Sequence, residues 1–260
     1  MTADKNKGAE GQHEDASATD RITHYKKYIQ HYQAHCDRWL PRLADVKGKR
    51  ILVLGSGWGT EVLWCLRNGA LDVVGVDPAD RPTQPLDAAI EELPEPVAGT
   101  FKLIRGNIID LRGGQDFDVI LSNNVVEHID SLKATFFSFR RFLKPDGRVS
   151  IFSDPLYYSS AGSHLPLSAW EHLYKEEDEF PAEITGRQRS EFRHMLNRLT
   201  FMEYLSVFRE SGFILEDLFI IPDRHLRHFT SVWPRIQRKA FPLDLCLEGF
   251  GCRLAYPSAY

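Results

Sequence analysis

Residues 49–153 alternate short apolar runs with helical runs. That alternation predicts an α/β domain on a mostly parallel sheet with helices on both faces. Two further observations sharpen the expectation. A glycine-rich turn, G-S-G-W-G at 55–59, directly follows the first apolar run. After Ser153 the alternation stops, and residues 155–197 show no strand signal. That stretch is too long for an ordinary connection, so it predicts an insert at the carboxyl edge of the strands, where open parallel sheets bind ligands.

The elements follow in order. Residues 1–20 are polar and poor in aliphatics, which predicts a disordered tail. Over 21–43, Ile22, Tyr25, Tyr28, Ile29, Tyr32, Trp39 and Leu40 recur at helical spacing, so a leading helix is expected, its tyrosines forming core, rim or a cover over a ligand. Ile51, Leu52, Val53 and Leu54 run without a polar break, as a strand covered on both faces does. A helix over 61–67 stops near Asn68-Gly69. LDVVGVD at 71–77 is the second strand, ending on an acid. The proline-rich crossover 78–99 leaves room for one short helix at 86–93. Strands are expected at 101–105, 117–122 and 148–153, with a helix over 131–143 stopped by Pro145-Asp146-Gly147. Regularity returns with a helix at 200–211 closed by Gly212, then strands at 213–221 and 250–256. Residues 21–260 are read as one domain that carries the insert.

Composition narrows the function classes. Formal net charge is −4, so no broad nucleic-acid footprint is expected, although Arg224, Arg227, Arg235, Arg238 and Lys239 form a local basic run. That run is a solvated rim, or a contact with RNA or an anionic membrane surface. No apolar run is long enough to cross a bilayer, and the first residues lack the apolar core of a secretory signal. Cys36, Cys65, Cys246 and Cys252 form no C-x-x-C pair and no zinc spacing, which fits reduced thiols in the cytoplasm.

The glycine spacing decides the ligand class. A dinucleotide fingerprint needs G-x-G-x-x-G, and Thr60 stands where its third glycine belongs. No Tyr-x-x-x-Lys occurs either, which argues against a dehydrogenase. The segments VLGSGWGTE, VVGVDP, FDVILSNNVVEHI, RRFLKPDGRVSIFSDP and TFMEYLSVFRESGF occur in an order and spacing similar to class I S-adenosylmethionine-dependent methyltransferases, in particular the large subgroup that modifies small molecules and lipids. The specific motifs span residues 49–155, and a looser match extends to 256. The resemblance implies a Rossmann-like sheet of seven strands, the last antiparallel and inserted beside the fifth. It implies S-adenosyl-L-methionine as cofactor.

Placed on that pattern, Gly55, Ser56, Gly57 and Gly59 cradle the methionine carboxylate and amine, because glycine lets a ligand approach the backbone and helix-start amides face an anion. Asp77 accepts the two ribose hydroxyls. Asn107 stands where the family often has an acid for the adenine amine, and an amide oxygen accepts there more weakly. Ile108 packs on the adenine ring, and Asn123 flanks the methionine end. Methyl transfer needs alignment above all, and a hydroxyl acceptor also benefits from a base. His164, in the insert, is a candidate base or acceptor ligand. His128, after the fourth strand, is a candidate base or a helix-start residue. His172 is expected on a solvated helix face. Asp154 has no second acid near it in sequence, so no metal site is expected. Arg187, Arg189 and Arg193 are candidates for an acceptor phosphate.

The reading is therefore O-methylation of a small polar or glycan acceptor, such as a sugar, a nucleotide-linked sugar, a phosphorylated metabolite or a natural product. Methylation of RNA or protein is an alternative, although the [DN]-P-P-[YF] motif of amide and base-amine methyltransferases is replaced by Ser122-Asn123-Asn124-Val125. A non-catalytic module that binds S-adenosylmethionine is the third. Oligomeric state is not legible.

Overall fold

The computed structural model describes residues 17–114 and 116–257. At its centre is a seven-stranded sheet of order β3-β2-β1-β4-β5-β7-β6. The strands are β1 (Arg50–Leu54), β2 (Asp72–Asp77), β3 (Thr100–Arg105), β4 (Phe117–Asn123), β5 (Leu143–Ser153), β6 (Ile214–Pro222) and β7 (Leu247–Ala255). All neighbouring pairs from β3 through β5 are parallel, and β7 lies antiparallel to both β5 and β6. This is the expected Rossmann-like topology.

The central strands are apolar without a break because both faces of the sheet are covered. Leu52 and Leu54 enter an apolar cluster with Phe136, Phe139, Tyr204, Phe208 and Phe250. Ile51 and Val53, pointing the other way, join Ile29, Leu40, Val62, Trp64, Leu66 and Leu86. Helices α5 (Leu132–Phe139) and α8 (Phe201–Glu210) supply the first cluster. Helices α1 (Ala18–His31), α2 (Gln33–Trp39), α3 (Thr60–Arg67) and α4 (Gln84–Glu91) supply the second.

Several boundaries differ from expectation for local reasons. The expected tail 1–20 lies mostly outside the described residues, but helix α1 starts at Ala18, where the Ser17 side chain accepts from the Asp20 amide at 3.2 Å. The leading helix is also broken near Tyr32 into α1 and α2. Helix α5 ends at Phe139, and the chain is already in β5 by Leu143. The ladder with β4 jumps from Phe117↔Leu143 to Val119↔Arg148, so Pro145-Asp146-Gly147 loops out of a strand and does not terminate a helix. Proline has no N–H to give to a ladder, and an irregularity there removes the need for one.

Beyond Ser153 the insert folds into α6 (Glu171–Tyr174), α7 (Gly186–His194) and short turns. Phe180, Ile184, Phe192 and Leu196 form its own apolar cluster. A further cluster joins Trp170 and Leu173 of the insert to Ile236 of α9 (Phe229–Ile236) and Leu245 of α10 (Pro242–Cys246). Both segments leave the carboxyl ends of strands, from β5 and β6, so together they cover that edge of the sheet.

Candidate active site

The turn after β1 is shaped by close approach. The Gly59 φ is 96°, and a Cβ there would lie 2.7 Å from Leu86 of α4. Gly57, with φ 49°, differs: nothing lies within 4 Å of the Cβ position, so its bare face opens on space. The Gly57 amide donates to Asp77 Oδ2 at 2.9 Å, and the Ala79 amide donates to Asp77 Oδ1 at 2.8 Å. These bonds fix the carboxylate across the end of β2 and use one acceptor site on each oxygen, leaving the others for a ligand. Ser56, Gly57 and Asp77 line a cleft of about 50 Å³ with Ala79, Asp80, Arg81, Leu103, Ile104 and Arg105.

Helix α1 closes over this turn. Tyr25 stacks on Trp58 with centroids 3.4 Å apart, and the Arg81 guanidinium lies 4.6 Å from the Trp58 ring centroid. Gln33 of α2 donates to the Thr60 carbonyl at 2.9 Å, tying the leading helices to the first turn of α3. Of the leading segment's tyrosines, Tyr25 therefore packs on the glycine turn itself, while Tyr28 and Tyr32 lie against each other.

On the other side of the turn stands a residue that sequence reasoning did not single out. Glu61, in the first turn of α3, is 8% exposed and accepts from Asn123 Nδ2 at 2.6 Å. Burial lifts its carboxyl from 4.5 to about 7, against the opposing pull of the Asn123 bond. Asn123 Oδ1 is buried and has no hydrogen-bond partner among the described residues. A carboxyl and an orphaned carbonyl oxygen at the ends of β4 and the glycine turn make an acceptor-rich niche suited to an ammonium group. The signal available in sequence was an acid in the turn's own helix, unremarkable until its burial is known.

The remaining expected residues are placed as follows. Gly55 belongs to the same turn, with Val125 packed against its Cα. Asn107 is exposed after β3, and its Oδ1 accepts from the Ile109 amide at 3.1 Å. Ile108 is 2% exposed and sits in the apolar cluster with Leu54 and Val76. Neither is among the residues that line the cleft. Asn124, with φ 54°, braces the ends of two strands: its Oδ1 accepts from the Asp154 amide at 2.9 Å, and its own amide donates to Phe152 O at 2.8 Å.

His128 and His164, far apart in sequence, come together with ring centroids 5.2 Å apart, edge to face. His128 Nδ1 donates to the Met195 carbonyl at 2.7 Å, which fixes the tautomer and leaves Nε2 as the basic nitrogen. That Nε2 lies 3.9 Å from Oε1 of Glu127, whose other oxygen accepts from Ser153 Oγ at 2.8 Å. His164, with φ 56°, places Nε2 3.3 Å from the Pro155 carbonyl.

Two expectations fail on burial and pairing. His172 is not on a solvated face: it is buried, its Nε2 donates to the Tyr157 carbonyl at 2.7 Å, and desolvation lowers its pKa to about 4. The arginines of α7 are engaged by the insert. Arg193 pairs with Glu177 at 2.6 Å and Arg187 with Glu191 at 2.8 Å, while Arg189 donates to the carbonyls of Glu177, Phe180, Pro181 and Ile184. No cluster of His, Cys, Asp and Glu suited to a metal ion occurs among the described residues.

Residues 28–213 match the family described as methyltransferase domain. The chain belongs to that family. The methyltransferase is 31% identical over 137 residues to a ubiquinone biosynthesis O-methyltransferase of Neisseria meningitidis, covering 51% of this chain and 54% of that protein. It is 36% identical over 120 residues to a protein of the same name from Roseobacter denitrificans, covering 43% of each. It thus spans about half the length of the curated relatives it matches. A solved S-adenosylmethionine-dependent methyltransferase from Methanosarcina mazei superposes with a TM-score of 0.58 at 16% identity, over 85% of this chain and 97% of that one. At that identity the likeness shows the fold, which is the Rossmann-like sheet that the motifs implied.

Proposed function

We propose that this methyltransferase takes its methyl group from S-adenosyl-L-methionine and transfers it to a hydroxyl oxygen of a small polar acceptor. One observation carries the cofactor reading. The bare face of Gly57 and the carboxylate of Asp77, locked to each other at 2.9 Å, line one cleft at the carboxyl edge of the sheet. When bound, the cofactor supplies a methyl group activated by a sulfonium. The chain does the rest. Asp77 uses its remaining acceptor sites for the ribose hydroxyls, and Gly55, Ser56, Gly57 and Gly59 give the backbone room for the methionine carboxylate. Asn107 stays the acceptor for the adenine amine, whereas Ile108, 2% exposed within the core, backs that end without lining the cleft. Glu61 and Asn123 oppose the methionine amine: the Glu61 carboxyl gives up its proton to solvent as the ammonium arrives, and the orphaned amide oxygen accepts from the ammonium.

Oxygen as the receiving atom is supported by the O-methyltransferase relatives and by the His128 arrangement. Its Nε2 carries the lone pair, so a proton taken from an acceptor hydroxyl lands there, 3.9 Å from the Glu127 carboxylate. His164, stacked edge-on, orients the acceptor or shares that proton. The insert 155–197 stands over the same edge as a cover that excludes water.

Titration calorimetry with S-adenosylmethionine and S-adenosylhomocysteine tests the cofactor site. Loss of one charge-assisted partner costs about 1.5–3 kcal/mol, so Asp77→Ala weakens binding roughly ten- to a hundredfold. Unchanged affinity overturns the assignment. On the same preparations, His128→Ala keeps cofactor affinity and lowers turnover on a hydroxyl acceptor by about 10²–10³-fold. Full turnover there moves the chemistry to an acceptor that needs no deprotonation.

A further inference from the structure

The segment that joins β6 to β7 has a composition unlike the rest of the chain. Residues 224–243 contain no Asp or Glu, although the whole protein carries a net charge of −4. The segment holds Arg224, Arg227, Arg235, Arg238 and Lys239, with His225 and His228 among them. The acids that flank it are all buried and turned to other work. Asp223 accepts from the Ser160 and His225 amides at 2.6 and 2.7 Å, Asp244 accepts from the Phe201 amide at 2.8 Å, and Glu248 pairs with Arg224. Arg227, Arg235, Arg238 and Lys239 make no ion pair among the described residues. The exposed charged side chains of this segment are therefore cationic, with Arg235 lying 5.1 Å over the Tyr174 ring centroid and no acid of the segment to offset them.

The same segment exposes large apolar side chains. Phe241 is 78% exposed, Leu243 48% and Leu226 39%, and Phe241 and Leu243 flank Pro242 at the start of α10. The apolar side of α9 is already used: Phe229, Val232, Trp233 and Ile236 pack against Trp170 and Tyr174 of the insert. The outer apolar residues thus stand beyond a finished core, anchored to the cover of the candidate active site.

We propose that residues 224–243 bind the surface of an anionic membrane, with Phe241 and Leu243 entering the headgroup region and Arg227, Arg235, Arg238 and Lys239 meeting lipid phosphates. Cations close in sequence to exposed apolar side chains are what a bilayer interface selects, the phosphates meeting the charge and the headgroup region taking the apolar groups. RNA would use the cations and could stack a base on Phe241, but it gains nothing from Leu226 and Leu243, which a membrane interface would take up. The proposal does not depend on methyl transfer, because it is read by binding alone.

Vesicle flotation with the full chain tests it. The protein floats with vesicles that contain about one third phosphatidylglycerol and stays behind with pure phosphatidylcholine, and the binding fades as salt rises from about 0.1 to 0.5 M. Arg238→Gln with Lys239→Gln weakens partitioning roughly thirtyfold, given the usual contribution of each cation. Phe241→Ser weakens it about tenfold through lost apolar transfer. Phe241 is the N-cap of α10, where serine is well suited, and its side chain is exposed, so this variant keeps the wild-type melting midpoint. Failure to float with anionic vesicles overturns the proposal. So does binding that Phe241→Ser leaves intact while the charge variant and single-stranded RNA both abolish it, because that pattern marks a nucleic-acid surface.

Discussion

Glu61 shows how much of a site depends on a single desolvated carboxyl. Its folded pKa of about 7 lies above the 4.5 of an ordinary glutamate, so the native state holds a proton that the unfolded chain releases. The sign follows: its contribution to stability is complete below about pH 4.5 and is lost as pH rises through about 7, worth on the order of 3 kcal/mol across that window. Glu61→Gln removes the linkage, so chemical denaturation from pH 5 to 8 gives a flatter stability profile than the wild type. A slope identical to the wild type would mean that Glu61 stays charged throughout. The sequence offered no route to this, because the Asn123 bond comes from the end of β4, far along the chain, and nothing local to T-E-V-L announces the burial. Asp77 was legible for the opposite reason: its position at the end of an apolar strand fixes where its side chain points.

At the level of elements, the parallel strands and α8 were read well because their signals are local. Nearly unbroken burial marks β1 and β4, and Thr200 with Glu203 forms a capping box at 2.7 Å that starts α8. The start of β5 was not legible, since Pro145-Asp146-Gly147 has the look of a helix stop and only the register with Phe117 shows otherwise. The insert was recognised by its length and position, whereas its internal order rests on contacts across the sequence: Trp170 is fully buried and donates to Leu245 O at 3.1 Å. His172 makes that order sensitive to acid. Its folded pKa of about 4 lies below the usual 6.5, so its contribution is complete above about pH 6.5 and is lost as pH falls toward 4. Limited proteolysis should therefore show cleavage within 155–197 rising over that interval, before the sheet melts. His172→Gln removes the step, and equal cleavage at pH 7 and 4.5 in the wild type would rule the histidine out as its cause.

Taken whole, the molecule divides its labour across the two apolar clusters and the edge above them. The glycine turn, Asp77 and helix α1 gather at one end of that edge, and the β5 and β6 connections build the cover at the other. The family and its sheet were legible from motif order. The cover's two halves were not legible as one body, because Trp170 and Ile236 meet only in three dimensions. The position of β7 carries a consequence for how the protein comes into being. Its residues pair with Arg148–Ser153 on one side and with β6 on the other, so the strand that follows all the others in sequence is the one that joins them. During synthesis β6 has no ladder partner until residues 247–255 have left the ribosome, and its exposed Leu215 and Ile220 wait with it. A chain stopped before Leu247 should retain the β3-β2-β1-β4-β5 half yet be captured by chaperones or aggregate, which pulse-chase with arrested chains would detect. The half of the cover that leaves β6 is thus held at both ends only once β7 has paired, which ties closure over the candidate site to that ladder.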